Sequence, residues 1–216
     1  MGTHSFYEQA KKYWKMVAPT IDGVLGGFGY VSDVDIKGSQ NFLDMIFGQK
    51  NPPKKGRALD CGAGIGRVTK EILIKLFNKV DLIDQNENFI IKARENLGGS
   101  DELGLLYIGG LQNFKMEFKY DLIWCQWVLA HLTDKDLICF LKNCKNSLNK
   151  NGVIVIKENV SPKHTELDQT DSSITRPLVK FLSLFKKAGL EPFSLETQTG
   201  FPEKVYTVKL IALRPK

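Results

Sequence analysis

A glycine-rich turn directly after a short apolar run constrains the fold of this chain more than any other feature. The run covers residues 57–61, in which Ala58, Leu59 and Cys61 are the apolar members, and glycines at positions 62, 64 and 66 follow it before an amphipathic stretch. A strand, a glycine turn and a helix in this order bring bare backbone to a nucleotide-like ligand at the carboxyl edge of a parallel sheet. Glycine also serves tight turns for purely steric reasons, so the turn alone is weak evidence for a ligand.

Short apolar runs and amphipathic stretches alternate through the rest of the chain, which is typical of βαβ units. Strands are predicted near residues 57–61, 79–84, 105–108, 120–125 and 152–157. A helix around 174–188 and an antiparallel hairpin of 193–199 and 204–213 are predicted to follow. We therefore expect an α/β fold with a Rossmann-like, mostly parallel seven-stranded sheet, helices on both faces and a terminal antiparallel hairpin.

The residues before this pattern are predicted to form extra N-terminal helices. Aromatic residues at helical spacing favour an amphipathic helix over residues 6–18, and four glycines interrupt the segment 21–30. Capping side chains at 32–35 predict the start of a further helix, which Gly48 ends.

No linker in the sequence is long enough to divide the chain. We expect one domain over residues 1–216, in which 1–50 form a helical lid or substrate element and 51–216 form a cofactor-binding core.

Composition and charge narrow the class of protein. The formal charge of +6 is spread over single lysines and short pairs, which argues against a direct nucleic-acid partner. No apolar run reaches the roughly 18 residues of a membrane-spanning helix. The four cysteines and three histidines lack the spacing of metal ligands. We expect an intracellular monomer, in the nucleus or the cytoplasm, without a membrane partner or a metal.

An acid at the end of the second predicted strand strengthens the prediction of a ligand. Asp84 lies 18 residues after Gly66, close to the roughly 20-residue spacing of a carboxylate that binds ribose hydroxyls. Asp84 could instead cap the next helix. Asp60 can orient the turn or face an ammonium group, and Arg67 can pair with a methionine carboxylate. These two charges favour S-adenosylmethionine over a dinucleotide.

Two residues after the third predicted strand would suit adenine. Leu111 offers an apolar face, and Gln112 an amide that can read the edge of the base. Leu111 could also be an ordinary core residue. The backbone N–H groups of the glycine turn are expected to face the ligand.

Several longer motifs resemble one family. They are the turn Asp60 to Arg67, the run at 121–128, the run at 131–134, residues 156–159, and Asp168 with 171–173. With them, the sequence resembles the protein α-N-terminal methyltransferases, which methylate the α-amine of proteins that begin Xaa-Pro-Lys or similar. The resemblance covers nearly the whole chain. It implies a class I S-adenosylmethionine-dependent methyltransferase that acts on the N-terminal tails of protein substrates.

The resemblance also implies roles for individual residues. On the cofactor side these are Gly62, Arg67, Asp84, Leu111, Gln112 and Gln126, to which the glycine turn adds Gly64. On the peptide side they are Trp14, Trp127, His131, Asn159, Asp168, Asp171 and Ser173. We also expect peptide contacts from Tyr206 and from Gly26, which lies in the glycine-rich segment that would cover the peptide channel.

The chemistry of the residues agrees with the catalytic roles. A peptide α-amine has a pKa of about 7.7–8.0, so much of it is protonated near neutral pH and a base must lie nearby. Asp171 and His131 are the candidates for this base. Without the resemblance, a lone histidine such as His131 is more often structural. Asn159 can orient the amine through its amide oxygen, although it could also be a turn residue.

The remaining residues suit a short peptide. Trp127 offers a flat apolar face for a proline at position two of the substrate, and Trp14 can close the channel, although either tryptophan could belong to the core. Asp168 and Ser173 form an acidic mouth for a basic third residue, unless they belong to a solvated loop. Position 169 is a neutral glutamine, which weakens the inferred preference for lysine or arginine.

Two other readings stay open at this point. The chain could transfer the methyl group to a small molecule or an RNA base, although no clustered basic face with exposed aromatic residues supports RNA. It could also be a methyltransferase-like binding module without turnover. Against that reading, each proposed catalytic position holds a chemically competent residue.

Overall fold

The computed structural model describes residues 3–203 and 205–216, so Met1, Gly2 and Lys204 lie outside the described residues. The α-helices are α1 (Thr3–Met16), α2 (Ile21–Val24), α3 (Ser32–Phe47), α4 (Ile74–Leu76), α5 (Glu87–Leu97), α6 (Asp134–Asn146) and α7 (Leu178–Ala188). A π-helical segment, Thr69–Leu73, follows the glycine turn and leads directly into α4. The strands are β1 (Arg57–Cys61), β2 (Lys79–Asp84), β3 (Leu103–Ile108), β4 (Tyr120–Gln126), β5 (Leu148–Ser161), β6 (Glu166–Asp168), β7 (Ser173–Pro177), β8 (Leu190–Thr197) and β9 (Thr207–Pro215).

The main sheet has the Rossmann-like arrangement that the sequence predicts. Its strand order is β3-β2-β1-β4-β5-β9-β8, in which β1 to β5 run parallel and β9 is antiparallel to both β5 and β8. The chain moves from β1 outward to β3 and then returns to β4 on the other side of β1. Ligands of open α/β sheets bind at such a switch point, outside the carboxyl ends of the strands.

Alternate residues of the central strands face two separate apolar layers. Leu59, Ile123 and Ile154 pack with α6 and α7 on one face, and Ala58 and Leu122 pack with α3 and α5 on the other. This alternation buries both faces of a parallel sheet and explains the nearly continuous apolar runs. The predicted helices on both faces are therefore confirmed.

A small hairpin of β6 and β7 differs from the prediction. The helix predicted from residue 174 begins at Leu178, because residues 173–177 pair with β6 and with the end of β5. Pro177 disfavours the helical conformation in the residue before it, and Thr175 is β-branched, which suits a strand. Nine strands occur among the described residues, two more than the seven predicted, and the extra pair is this hairpin.

The other boundaries shift by a few residues. The third strand begins at 103 and the fifth covers 148–161. The terminal hairpin covers 190–197 and 207–215, and Lys204, with which its second strand was predicted to begin, lies outside the described residues.

The N-terminal helix α1 is fixed on the core at several points. The Tyr7 hydroxyl donates to Asp136 at 2.5 Å, and Asn86 Nδ2 donates to the Trp14 carbonyl at 2.7 Å. Between them, Ser172 Oγ donates to Gln9 Oε1 at 3.1 Å. The helix covers residues 3–16 rather than 6–18. No helix in the described ranges is both long enough and apolar enough to cross a membrane.

Candidate active site

Two adjoining pockets lie where α1 covers the carboxyl edge of the sheet. The glycine pocket, lined by the glycine turn and the ends of β1, β2 and β4, has a volume of about 110 Å³. The acidic pocket, lined by β5, the β6–β7 hairpin and the segment 24–31, has a volume of about 490 Å³. The residues that line both are Trp14, Val24, Leu25, Trp127 and His131.

The structure gathers the predicted site residues into these two pockets. All seven residues predicted for the cofactor line the glycine pocket. All nine residues predicted for the peptide or for catalysis line the acidic pocket. Their individual roles stay predictions.

The glycine turn adopts a left-handed backbone that glycine accommodates best. Gly62 has φ 68° and Gly64 has φ 56°. The expectation that the N–H groups of the turn face a ligand is wrong for Gly62, Ala63 and Gly64. Gly62 and Ala63 donate to the Ile83 carbonyl at 2.8 and 3.1 Å, and Gly64 donates to Asp84 Oδ2 at 2.9 Å. These bonds join the turn to the end of β2 instead.

Asp84 connects the turn to the next helix and still faces the glycine pocket. Its Oδ2 accepts from Gly64 and its Oδ1 accepts from the N–H of Asn86 at 2.8 Å. Asn86, rather than Asp84, caps α5 by accepting from Asn88. Each carboxylate oxygen keeps a further lone pair, so Asp84 can accept two ribose hydroxyls. Burial raises the pKa of Asp84 to about 6.

Asp60 has the first of the two roles that its position suggested. Its Oδ2 accepts the hydroxyl of Thr69 at 2.6 Å, which ties the end of β1 to the helix after the turn. Burial raises the pKa of Asp60 to about 6, and the Thr69 hydroxyl and the Arg67 charge lower it in part.

A buried ionic cluster lies behind the glycine pocket. Asp35 Oδ2 accepts from Arg67 at 2.7 Å, Asp35 Oδ1 contacts Lys157 Nζ at 2.5 Å, and Gln126 Nε2 donates to both oxygens at 2.9 Å. Burial lowers the pKa of Lys157 to about 8, and the Asp35 charge opposes this shift. The cluster contains two cations and one carboxylate. A ligand carboxylate beside Arg67 would balance the extra positive charge.

Arg67 is thus held in place from within the protein. One guanidinium nitrogen contacts Asp35 and the other lies 3.4 Å from Ser32 Oγ. A guanidinium has five N–H donors, so several remain for the predicted methionine carboxylate. The sequence did not reveal that Asp35 orients Arg67.

The far end of the glycine pocket is apolar. Leu111 is 6% exposed and contributes to the core as well as to the pocket wall, so its contact with adenine stays a prediction. A side chain at Gly109 would meet nothing within 4 Å, so the pocket is open beside this residue. This wall suits a flat base with a polar edge.

His131 lies between the pockets with both ring nitrogens engaged. The indole N–H of Trp14 donates to Nε2 at 3.0 Å, and Nδ1 lies 3.2 Å from the carbonyl oxygen of Ser172. Because a carbonyl can only accept, the proton belongs on Nδ1 and the ring is neutral. Burial lowers the pKa of His131, and the Asp171 charge raises it in part.

Two polar atoms in the acidic pocket are buried without a partner in the described chain. They are Oδ1 of Asp171 and the indole Nε1 of Trp127. Trp127 also has φ 51°, a conformation that costs about 1–2 kcal/mol for a residue with a Cβ. Unpaired buried polar atoms and backbone strain concentrate at functional sites.

Sequence reasoning missed several residues of the site. Asp35 and Ser39 lie on the buried face of α3, and Lys157 follows an apolar run in β5. Each of them is a polar residue at a position where the hydrophobic periodicity of the sequence predicts burial, and this signal could have revealed them. Phe201 packs 6.3 Å from Trp127, and no sequence pattern indicated it.

The fold and the glycine pocket together define an S-adenosylmethionine-dependent methyltransferase of class I. The pocket fits this cofactor: Asp84 has free lone pairs at the ribose position, Arg67 has free donors, and Leu111 provides an apolar wall. Gly62 is also required by packing, because a Cβ there would lie 2.5 Å from Val128 in the pocket wall.

The comparisons with known proteins agree with this class. The family described as AdoMet-dependent proline di-methyltransferase matches residues 2–214. N-terminal Xaa-Pro-Lys N-methyltransferase 1 of Xenopus tropicalis is 46% identical over 213 residues, which cover 97% of this chain and 95% of the relative. Its human counterpart is also 46% identical over 213 residues, with the same coverage. The chain therefore belongs to the AdoMet-dependent proline di-methyltransferase family.

Solved structures support the same assignment. A SAM-dependent methyltransferase of Leishmania major superposes with a TM-score of 0.92 at 37% identity, over 97% of this chain and 83% of that one. The DhpI–SAH complex superposes with a TM-score of 0.70 at 17% identity, over 98% of each chain, which shows the shared fold alone.

Proposed function

We propose that this enzyme methylates the α-amino group of proteins that begin Xaa-Pro-Lys or Xaa-Pro-Arg. The names of its relatives support this substrate, and so does the chemistry of the acidic pocket. The observation that carries the proposal is the buried, unpaired Oδ1 of Asp171 in a pocket that shares five wall residues with the cofactor pocket. An amine held there would meet a carboxylate beside the cofactor.

Asp171 is the better of the two candidate bases. A bound ammonium would satisfy its unpaired oxygen, and the carboxylate can then accept the proton that blocks the lone pair of the amine. Both nitrogens of His131 already have partners, so its imidazole has no free lone pair while Trp14 is in place. We assign His131 a positioning role: it fixes the carbonyl of Ser172, the residue next to Asp171.

Asn159 and Trp127 suit the rest of a Xaa-Pro terminus. Asn159 lies near the end of β5, and its N–H donates to the buried Glu158 at 3.2 Å, which fixes the backbone at this point. Its side-chain amide can then orient the amine. The ring of Trp127 forms an apolar wall with Phe201, against which a proline ring can pack.

When bound, S-adenosylmethionine supplies an electrophilic methyl group on a sulfonium. The protein binds and orients the cofactor through Asp84, Arg67 and Leu111, and helix α1 excludes water from it. Trp14 completes the wall between the two pockets. Catalysis by positioning and deprotonation needs no metal.

Mass spectrometry tests this function most directly. A synthetic Ser-Pro-Lys peptide incubated with the protein and S-adenosylmethionine should gain methyl groups, and an amino-acetylated copy should gain none. Asp171→Asn should lower kcat by about 100-fold or more, the usual size of a general-base effect. Asp101→Asn, in an exposed turn, is the matched control and should keep the wild-type rate.

Cofactor binding must be measured in the same samples. If S-adenosylhomocysteine binds to the wild type and neither peptide is methylated, the acceptor is another molecule or the chain is a binding module. If Asp171→Asn keeps the wild-type kcat, Asp171 is not the base. The monomeric state and the nuclear or cytoplasmic location stay predictions.

A further inference from the structure

We propose that Glu166 is a specificity-determining residue that binds the basic third residue of the substrate. This inference rests on the proposed function, and it assigns a role to a residue that the sequence analysis did not single out. It follows from the register of the β6–β7 hairpin and from the contact between Glu166 and Tyr206.

The hairpin register places Glu166 on the pocket side. Glu166 pairs with Thr175 and Asp168 pairs with Ser173 in this antiparallel hairpin. Side chains of directly paired residues lie on the same face, as do those of residues i and i+2 of one strand. Thr175, Ser173 and Asp168 all line the acidic pocket, so Glu166 belongs to the same face.

Tyr206 holds the Glu166 carboxylate beside the acidic pocket. The Tyr206 hydroxyl donates to Glu166 Oε2 at 2.5 Å, and the Tyr206 ring itself lines the acidic pocket. The hydrogen bond to Glu166 raises the pKa of Tyr206, and the charges of Glu166 and Asp168 add to this shift. Both carboxylates therefore lie near one hydroxyl. Fixing a long side chain in advance lowers the entropy lost on binding a cation.

Glu166 supplies the acidity that the neutral Gln169 lacks. Residues i and i+2 of a strand lie about 6.5–7 Å apart, so Glu166 and Asp168 can contact one cation from two sides. No lysine or arginine within the described ranges lines the acidic pocket. A substrate lysine or arginine would thus enter an acidic mouth whose described wall residues include no competing cation.

The test compares two peptides in one variant and its control. Glu166→Gln should lower the ratio of kcat/KM for Ser-Pro-Lys over Ser-Pro-Gln peptides about tenfold, mostly through the KM of the lysine peptide. Glutamine can still accept from Tyr206, so the hairpin contact remains. Glu196→Gln removes one exposed charge from β8, outside the pocket wall, and should leave the ratio unchanged.

The outcomes distinguish a role of Glu166 in substrate specificity from a purely structural role in the hairpin. Equal losses of kcat/KM for both peptides would show that Glu166 only fastens the hairpin to Tyr206, and unchanged kcat/KM values for both would show no role; either result overturns the proposal. Binding of the same peptides, measured by calorimetry with S-adenosylhomocysteine present, gives the ratio without turnover. If the wild type binds both peptides but methylates neither, the proposed function fails while the binding ratio still tests Glu166.

Discussion

Replacing Asp35 by asparagine tests the buried cluster behind the cofactor pocket. The change keeps the shape of the side chain and removes the negative charge that Arg67 and Lys157 both contact. Breaking a buried ion pair by removing one partner costs about 3–5 kcal/mol, because the remaining charge is left uncompensated. In Asp35→Asn two buried cations would face each other, so the upper part of this range is expected.

Thermal unfolding followed by circular dichroism measures the effect. In a chain of this size 1 kcal/mol shifts Tm by roughly 2–4 °C, so Asp35→Asn should lower Tm by about 10 °C or more. Asp44→Asn is the matched control, because Asp44 lies on the same helix and is exposed. The control should stay within about 0.5 kcal/mol of the wild type.

A second variant separates charge balance from the loss of contacts. Lys157→Met leaves one cation and one carboxylate in the cluster, together with the hydrogen bonds of Gln126. It loses the bonds to Ser39 and to the Asp35 carbonyl, so a cost of about 1–3 kcal/mol is expected. The charge argument would be refuted if Asp35→Asn cost under 1 kcal/mol, or if Lys157→Met cost as much as Asp35→Asn.

Three further predictions concern the pockets. Asp84→Asn should weaken binding of S-adenosylhomocysteine about 10- to 100-fold in calorimetry, since a hydrogen bond to a charged group contributes about 1.5–3 kcal/mol; an unchanged Kd would exclude Asp84 from the site. Burial raises the pKa of Glu158 from 4.5 to about 7, so the folded state binds the extra proton and the free energy of unfolding should fall as pH rises from about 4.5 to 7. Urea titrations at several pH values should show a smaller fall in the free energy of unfolding for Glu158→Gln than for the wild type. An equal fall in both proteins would contradict the raised pKa of Glu158. Gly26 has φ 60° and lines the acidic pocket, so Gly26→Phe should raise the peptide KM or slow turnover; wild-type kinetics would reject a role for this segment in covering the peptide.

The sequence predicted the cofactor pocket better than the elements around it. The turn from Asp60 to Arg67 and the acid at Asp84 obey local rules, because a glycine turn and a strand-end carboxylate must meet at one edge of a parallel sheet. Helix-compatible apolar spacing over residues 174–188 predicts a helix where the structure has most of strand β7. Its true form depends on pairing with distant residues of β5.

Other features depended on contacts across the fold. The N–H groups of the glycine turn donate to Ile83 and Asp84, partners that only the β1–β2 register brings close. His131 was predicted as a possible base, but its availability depends on Trp14, which is more than a hundred residues away in the chain. Local sequence patterns give the residue types of such contacts without giving their geometry.

Trp127 shows how this enzyme's stability and its activity compete. Its left-handed backbone and its unpaired indole N–H each destabilise the fold, the second by about 1–3 kcal/mol. A library selected for thermostability alone should therefore enrich glycine or asparagine at position 127, which relax the backbone. Such variants would lose the apolar wall shared by both pockets. Selection on peptide methylation should restore tryptophan, so the two screens would drive this position in opposite directions.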